Sequence, residues 1–313
     1  MPSRPPAMSL RHLLDGFWPS ARIVGLWPGI KAFGGLTILD QRSDQTETLE
    51  RLGALEVRFA RNAAEVRQAQ KVRYQVFYLE GGAVPDIATL LARRDVDAFD
   101  AVCDHLLVID HDAKTGPHGA PAVVGTYRLL RQEVAEQHGG FYSAAEFEIN
   151  ALIKRHPDMR FLELGRSCVL APYRNKRTLE LLWHGIGAYQ AQNRPDVMIG
   201  CASLDGTDPS QLAMPLSFLH HYAHAPEAWN TRAVAHRYIE MNRLPKDAID
   251  PKAALRILPP LIKGYLRLGA YIGEGAVIDH QFGTTDVLIV LPMSEVKQRY
   301  YTHFGVKAVR EAA

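Results

Sequence analysis

A chain of 313 residues with 47% hydrophobic and 22% charged side chains can bury a full core, and this composition excludes a disordered or fibrous protein. A net charge of +2 excludes a broadly basic nucleic-acid binder. Three cysteines, Cys103, Cys168 and Cys201, without CxxC spacing exclude a disulfide framework and a thiolate metal site.

In chain order, residues 1–50 stand apart as an arm. Trp18, Trp27, Phe17 and Phe33 alternate there with Arg11, Arg22 and Lys31, a mixture that suits a membrane surface or packing on the main domain. The start lacks the apolar core and small-residue cleavage site of a secretion signal, and no run of about 18 apolar residues follows. The expectation is a reduced, cytoplasmic protein, peripheral on the inner membrane face.

The main domain is expected over 51–313, with a C-terminal extension from about 206. LEVRFAR (55–61) reads as a strand and 62–82 as a helix closed by Gly81-Gly82. DHLLVID (104–110) and AVVGTYRLL (122–130) make a hairpin across a Gly/Pro-rich turn. A helix is expected over 143–156, a strand over FLELGRSCVL, a helix over RTLELLWHGIGAYQAQN and a strand over 197–204. Helices over 209–224 and 249–269 follow, the second broken at Pro259-Pro260, and two strands flank Gly283. This order predicts an α+β fold with a mixed central sheet flanked by helices.

Acids and arginines inside apolar strands mark the chemistry, because a lone buried charge is costly unless paired or used. Arg73 and Phe77 lie four apart on the first helix and share a face. Asp95, Asp97 and Asp100 fill the loop before the first hairpin strand. Arg128 lies on the hairpin, and Glu163 and Arg166 on the next long strand. Regular alternation points Glu163 and Arg166 to opposite faces unless a bulge intervenes. Residues 151–194 hold eight Lys and Arg against three Asp and Glu, whereas 51–150 hold eleven against fourteen. A basic half fits an anionic partner, and scattered surface charge reads equally well. His220, His221 and His224 share a helix, but no third ligand supports a metal.

VRYQVF, DAFD, HLLVID, VVGTYRLL and ELGRSCV, at these separations, resemble the acyl-homoserine-lactone synthase branch of the GNAT-like acyltransferases. The pattern falls on Arg73, Phe77, Asp97, Asp100, Arg128, Glu163 and Arg166. ELGRSCVLAPYRN, LLWHGIGAYQ, GCASLDGTDP and the tail from LPPLIKGYLRLG to TTDVLIVLP resemble a sister family, the L-ornithine N-alpha-acyltransferases, over roughly 55–305.

The resemblance implies a GNAT-like fold and transfer of a 3-hydroxyacyl chain from acyl-carrier protein to the α-amine of L-ornithine, giving lyso-ornithine lipid. The donor is a phosphopantetheine thioester, and no tightly bound cofactor or nucleic-acid partner is implied. Glu163 would take the amine proton, hold an ammonium, or pair with Arg128. Arg166 would organise the same centre. A strand bulge would present an N–H to the thioester oxyanion near Cys168, Val169 and Leu170. Arg128 could grip the ornithine carboxylate, and Asp97, Asp100 or Asp205 the δ-ammonium. The loop Arg174, Asn175, Lys176, Arg177 and Thr178 opens a helix where anions are favoured. It lacks the glycines of CoA-binding GNAT loops, which favours the single phosphate of an acyl carrier. Rival readings are another amino acid or lysolipid as acceptor, a signal synthase, or a non-catalytic acyl-carrier or lipid-binding module.

Overall fold

A computed structural model describes residues 47–115 and 119–296. The expected arm over 1–50 lies almost wholly outside them. One ten-stranded sheet organises the described residues. Its strands are β1 (Glu50–Leu52), β2 (Leu55–Phe59), β3 (Asp104–Thr115), β4 (Ala120–Arg131), β5 (Phe161–Val169), β6 (Val197–Asp205), β7 (Tyr238–Ile239), β8 (Tyr271–Ile272), β9 (Ala276–Asp279) and β10 (Thr284–Pro292). The order is β1-β2-β3-β4-β5-β6-β10-β9-β7, with β8 also on β10. Only β5 and β6 pair in parallel, so the sheet is mixed, as the element order predicts.

Helix α1 (Ala63–Tyr74) starts at Asn62, whose side chain accepts from the N–H groups of Ala64 and Glu65 at 3.0 and 3.1 Å. It runs into a π-helical turn over Gln75–Glu80, so the expected single helix over 62–82 has two parts. Ala69 and Val72 of α1 pack with Leu107 and Ile109 on one sheet face. Helix α2 (Lys176–Asn193) packs Leu181, Leu182 and Ile186 with Leu106 and Val108 on the other. Alternation along β3 sends successive side chains to opposite layers. The helix expected over 143–156 is a 3₁₀ turn (Tyr142–Ala145) followed by a short helix (Ile149–Arg155).

Helix α3 spans Ala213–Ala223, and the Pro259-Pro260 break separates α4 (Pro251–Ile257) from α5 (Pro260–Leu268). On sequence grounds the apolar helix around Leu255–Leu268 is a second candidate for membrane contact. The structure corrects this: Leu255, Leu261, Ile262, Tyr265, Leu266 and Leu268 are buried in the main core. Residues after 206 add β10, β9 and β7 to the sheet beyond β6.

Pairing of β5 with β6 covers only Phe161–Glu163 against Val197–Ile199. Beyond it β5 continues to Val169 and β6 to Asp205 on separate partners, leaving a wedge that opens at Glu163. At the apex Gly200 lies against Leu164, and a Cβ there would overlap the Leu164 carbonyl oxygen. A backbone atom cannot swing aside as a side chain does. Gly200→Ala is therefore expected to lose about 1–3 kcal/mol in denaturant unfolding, as other overpacked cores do. Unchanged stability would show that the apex is loose.

Candidate active site

The β4–β5 register places Arg128 opposite Gly165 and Thr126 opposite Cys168. Tyr127 alone therefore faces both Arg166 and Ser167, which is a β-bulge. Arg166 takes up the extra residue with φ +52°, a left-handed conformation that costs a non-glycine residue about 1–2 kcal/mol. The bulge brings Glu163 and Arg166 to one side. Glu163 accepts from Tyr142 N–H, and the Arg166 guanidinium lies 5.5 Å from the Tyr142 ring.

The bulge was expected near Cys168, Val169 and Leu170, and the structure moves it upstream. Cys168 and Val169 are in regular register with Thr126 and Gly125, and Leu170 N–H bonds Val124 O at 2.9 Å. Cys168 is fully buried, and burial pushes its thiol well above the ordinary range, which opposes a thiolate nucleophile.

Around Arg166 the charges close into a ring. Asp95 Oδ2 accepts from Arg73 Nε at 2.7 Å and from Arg166 Nε at 3.1 Å. Asp97 accepts from Arg166 Nη2 at 3.1 Å and from Arg128 Nη1 at 2.6 Å. Asp100 accepts from Arg128 Nη1 at 3.1 Å and from Arg73 Nη2 at 2.7 Å. Three guanidinium groups thus alternate with three carboxylates. The loop is shaped for this: Asp97 caps a 3₁₀ turn (Ala98–Ala101), and the Asp100 side chain accepts from Asp97 N–H. Phe99, Tyr142 and Phe282 cover the arginines, with ring centres 5.3–5.8 Å from the Arg128 and Arg166 guanidinium carbons. Phe77 is buried and meets Phe282 edge-on at 5.9 Å.

Burial would raise the Asp100 carboxyl, but Arg73 and Arg128 beside it outweigh that and hold it well below the usual range. His105, whose Nε2 lies 2.9 Å from Asp100 O, is pushed down to about 4 by burial and stays neutral.

Glu163 is buried at the apex of the wedge, in the last β5–β6 pair. Its Oε1 accepts from Ser143 N–H at 2.8 Å and Ser143 Oγ at 2.5 Å, and its Oε2 from Tyr142 N–H at 3.0 Å. Burial pushes its carboxyl up, and the Ser143 and Tyr142 donors pull part of the way back. Of four acceptor positions on a carboxylate, three are taken, which leaves one on Oε2.

The basic loop is less uniform than its sequence. Arg174 bonds Val169 O at 2.9 Å and pairs with Glu80, Asn175 caps α2 on Thr178 N–H, and the Thr178 side chain is buried. Lys176 and Arg177 are exposed. Asp205 is exposed at the end of β6. On the wedge side, Glu146, Asp279 and Asp286 are buried with ligand atoms within 4.8 Å of one another.

Residues 72–184 match the acetyltransferase (GNAT) domain family. The chain is 50% identical over 277 residues to the L-ornithine N(alpha)-acyltransferase of Agrobacterium fabrum, covering 87% of this chain and 94% of that one. Identity to the L-ornithine N(alpha)-acyltransferase of Rhizobium meliloti is 51% over 265 residues, covering 85% and 89%. The chain belongs to the L-ornithine N(alpha)-acyltransferase family. It is an N-acyltransferase with a GNAT-like fold. Among solved structures it is similar to the AHL synthase LasI, at TM-score 0.41 and 12% identity over 82% of this chain and 98% of that one.

Sequence reasoning missed Tyr142 and Ser143, which hold Glu163 through backbone N–H groups that any residue carries. It also missed Glu146, Asp279 and Asp286, although Asp286 carries the cue used for Glu163, an acid in an apolar strand.

Asp100→Asn leaves Arg73 and Arg128 short of a counter-charge and is expected to cost about 3–5 kcal/mol. Because the folded carboxyl is depressed, its contribution is present above the unfolded value of about 4 and is lost as pH falls below it. Urea unfolding at stepped pH should show a flatter acid arm in the variant, and an unchanged arm would remove Asp100 as a source of acid sensitivity.

Proposed function

We propose that this chain transfers a 3-hydroxyacyl group from the phosphopantetheine thioester of acyl-carrier protein to the α-amine of L-ornithine, giving lyso-ornithine lipid. The observation that carries the ornithine half is near-full-length similarity, at about half identity, to proteins named L-ornithine N(alpha)-acyltransferase. The donor half is supported by the exposed Lys176 and Arg177, which suit an acidic carrier surface.

In this reading the thioester enters the wedge between β5 and β6. The α-amine, neutral when it attacks, forms the new C–N bond as the C–S bond breaks. Its proton passes to Glu163 Oε2, directly or through a water, and from there to the departing sulfur, so the phosphopantetheine leaves as the thiol and the carboxylate is restored. The developing oxyanion is placed near the bulge at Arg166 and Ser167, where an N–H leaves the regular ladder. Arg166 is a positioning residue, since its guanidinium is already committed to Asp95 and Asp97. Arg128 is held the same way by Asp97 and Asp100.

Among the described residues no helix is long and apolar enough to cross a membrane. An amphiphilic product still favours peripheral contact with the inner membrane face. Ile87 and Leu91 (78% and 79% exposed), with Leu79, Val84 and Leu90, offer a surface for it beside the Asp95 loop.

The test is a mass-spectrometric assay of purified protein with 3-hydroxyacyl-carrier protein or acyl-CoA and a panel of amino acids. The expected product is Nα-acylornithine from the carrier donor. Glu163→Gln is expected to lose about 100-fold or more in kcat/KM. The wild-type rate should fall with acid through a value above the ordinary glutamate range of about 4.3, because the base form disappears below its raised pKa. Acylation of another amino acid removes ornithine from the reading, preference for acyl-CoA removes the carrier, and an active Glu163→Gln removes the base.

A further inference from the structure

Ornithine carries a second amine, and the acids offered for it by sequence are committed or remote. Asp97 and Asp100 each hold two arginines, and Asp205 is exposed at a strand end. The fold gathers another group of acids. Glu146, Asp279 and Asp286 are 0%, 1% and 0% exposed, and their ligand atoms lie within 4.8 Å of one another. Asp279 Oδ1 accepts from Gln281 and Phe282 N–H, and Asp286 Oδ1 from Thr284 Oγ1 at 3.0 Å. Asp279 Oδ2 and Asp286 Oδ2 are buried with no hydrogen-bond partner in the protein.

A second observation comes from outside the three acids. Ser203 lies directly opposite Asp286 across the β6–β10 pair, so both side chains share a face. Its Oγ is buried beside Asp286 yet makes no hydrogen bond of normal geometry. Burial and the neighbouring carboxylates Glu146 and Asp279 push the Asp286 carboxyl well up. Arg237 Nη2 lies 3.1 Å from Glu146 Oε1, and Arg166 also lies near enough to pull down on the Asp279 carboxyl, which burial pushes up. The three carboxyls outnumber the guanidinium paired with them, an excess of negative charge that suits a bound cation.

The cluster adjoins the reacting centre at two points. The 3₁₀ turn Tyr142–Ala145, whose N–H groups hold Glu163, leads directly into Glu146. Phe282, whose N–H is bonded by Asp279, lies 5.3 Å from the Arg166 guanidinium.

We propose that Glu146, Asp279 and Asp286, with Ser203, bind the side-chain ammonium of the amino-acid acceptor and so set its specificity. This rests on the ornithine reading above. An alkylammonium has three N–H donors and no acceptor, which three converging carboxylates satisfy one to one. A calcium ion asks for six to eight oxygens, more than three single-atom ligands supply.

The experiment compares L-ornithine with L-norvaline, the same carbon chain without the δ-amine, by calorimetric binding and by acylation kinetics. Wild-type protein is expected to favour ornithine by about 100-fold or more. Asp286→Asn, and independently Asp279→Asn if the first does not fold, should collapse that ratio toward one. Equal binding of the two ligands by wild type overturns the site whatever the activity. So does a variant in which both substrates fall together and the ratio survives. A stoichiometric divalent metal whose removal by EDTA abolishes the preference also overturns it. Preferential ornithine binding that depends on Asp286, with no acylation of any amine, supports the site while overturning the proposed reaction.

Discussion

A guanidinium with no access to water stays charged only where carboxylates surround it, and Arg73 is in that position at 0% exposure. Asp95 and Asp100 flank it, and each is shared with a further arginine that needs Asp97 in turn. The circuit is neutral, so its desolvation cost is met by mutual attraction rather than by solvent. Four segments meet there: α1, the loop from Asp95 to Ala101, β4 and β5. Opening any one pair strands a charge in the interior, so the segments hold one another in place.

That constraint reaches the reacting centre through Arg166. A left-handed arginine in a central strand is strained, and two aspartates and two aromatic rings keep it so. The bulge it creates turns Glu163 and Arg166 to one side and frees part of the ladder at the wedge. The arginines that sequence alone would send to the substrate are therefore largely spent on architecture. Glu163 remains at the wedge with one open acceptor position, and the turn that holds it leads into Glu146 of the buried acid cluster.

Much of this fold is legible in the sequence because helix caps, strand alternation and the Pro259-Pro260 break are local signals. The ring members were legible as types, since arginines and aspartates in apolar surroundings stand out. Their closure was not, because the pairs join residues 22 to 71 positions apart. The bulge was expected two residues too late, since no residue type marks it and Arg166 is a poor candidate for a left-handed conformation. Backbone donors such as Tyr142 N–H leave no trace in a sequence. Glu146, Asp279 and Asp286 become one cluster only when β9 and β10 extend the sheet past β6.

On this geometry the six charges form one cooperative circuit rather than three separate pairs. A double-mutant cycle between Arg73→Met and Asp97→Asn tests it most directly, because these residues sit across the ring and share no hydrogen bond. Denaturant unfolding of the wild type, both single variants and the double variant gives their coupling. A closed circuit predicts a coupling energy of about 1 kcal/mol or more, since the first break already releases the strain the second would cause. Additivity within about 0.5 kcal/mol would contradict the account and reduce the ring to independent ion pairs.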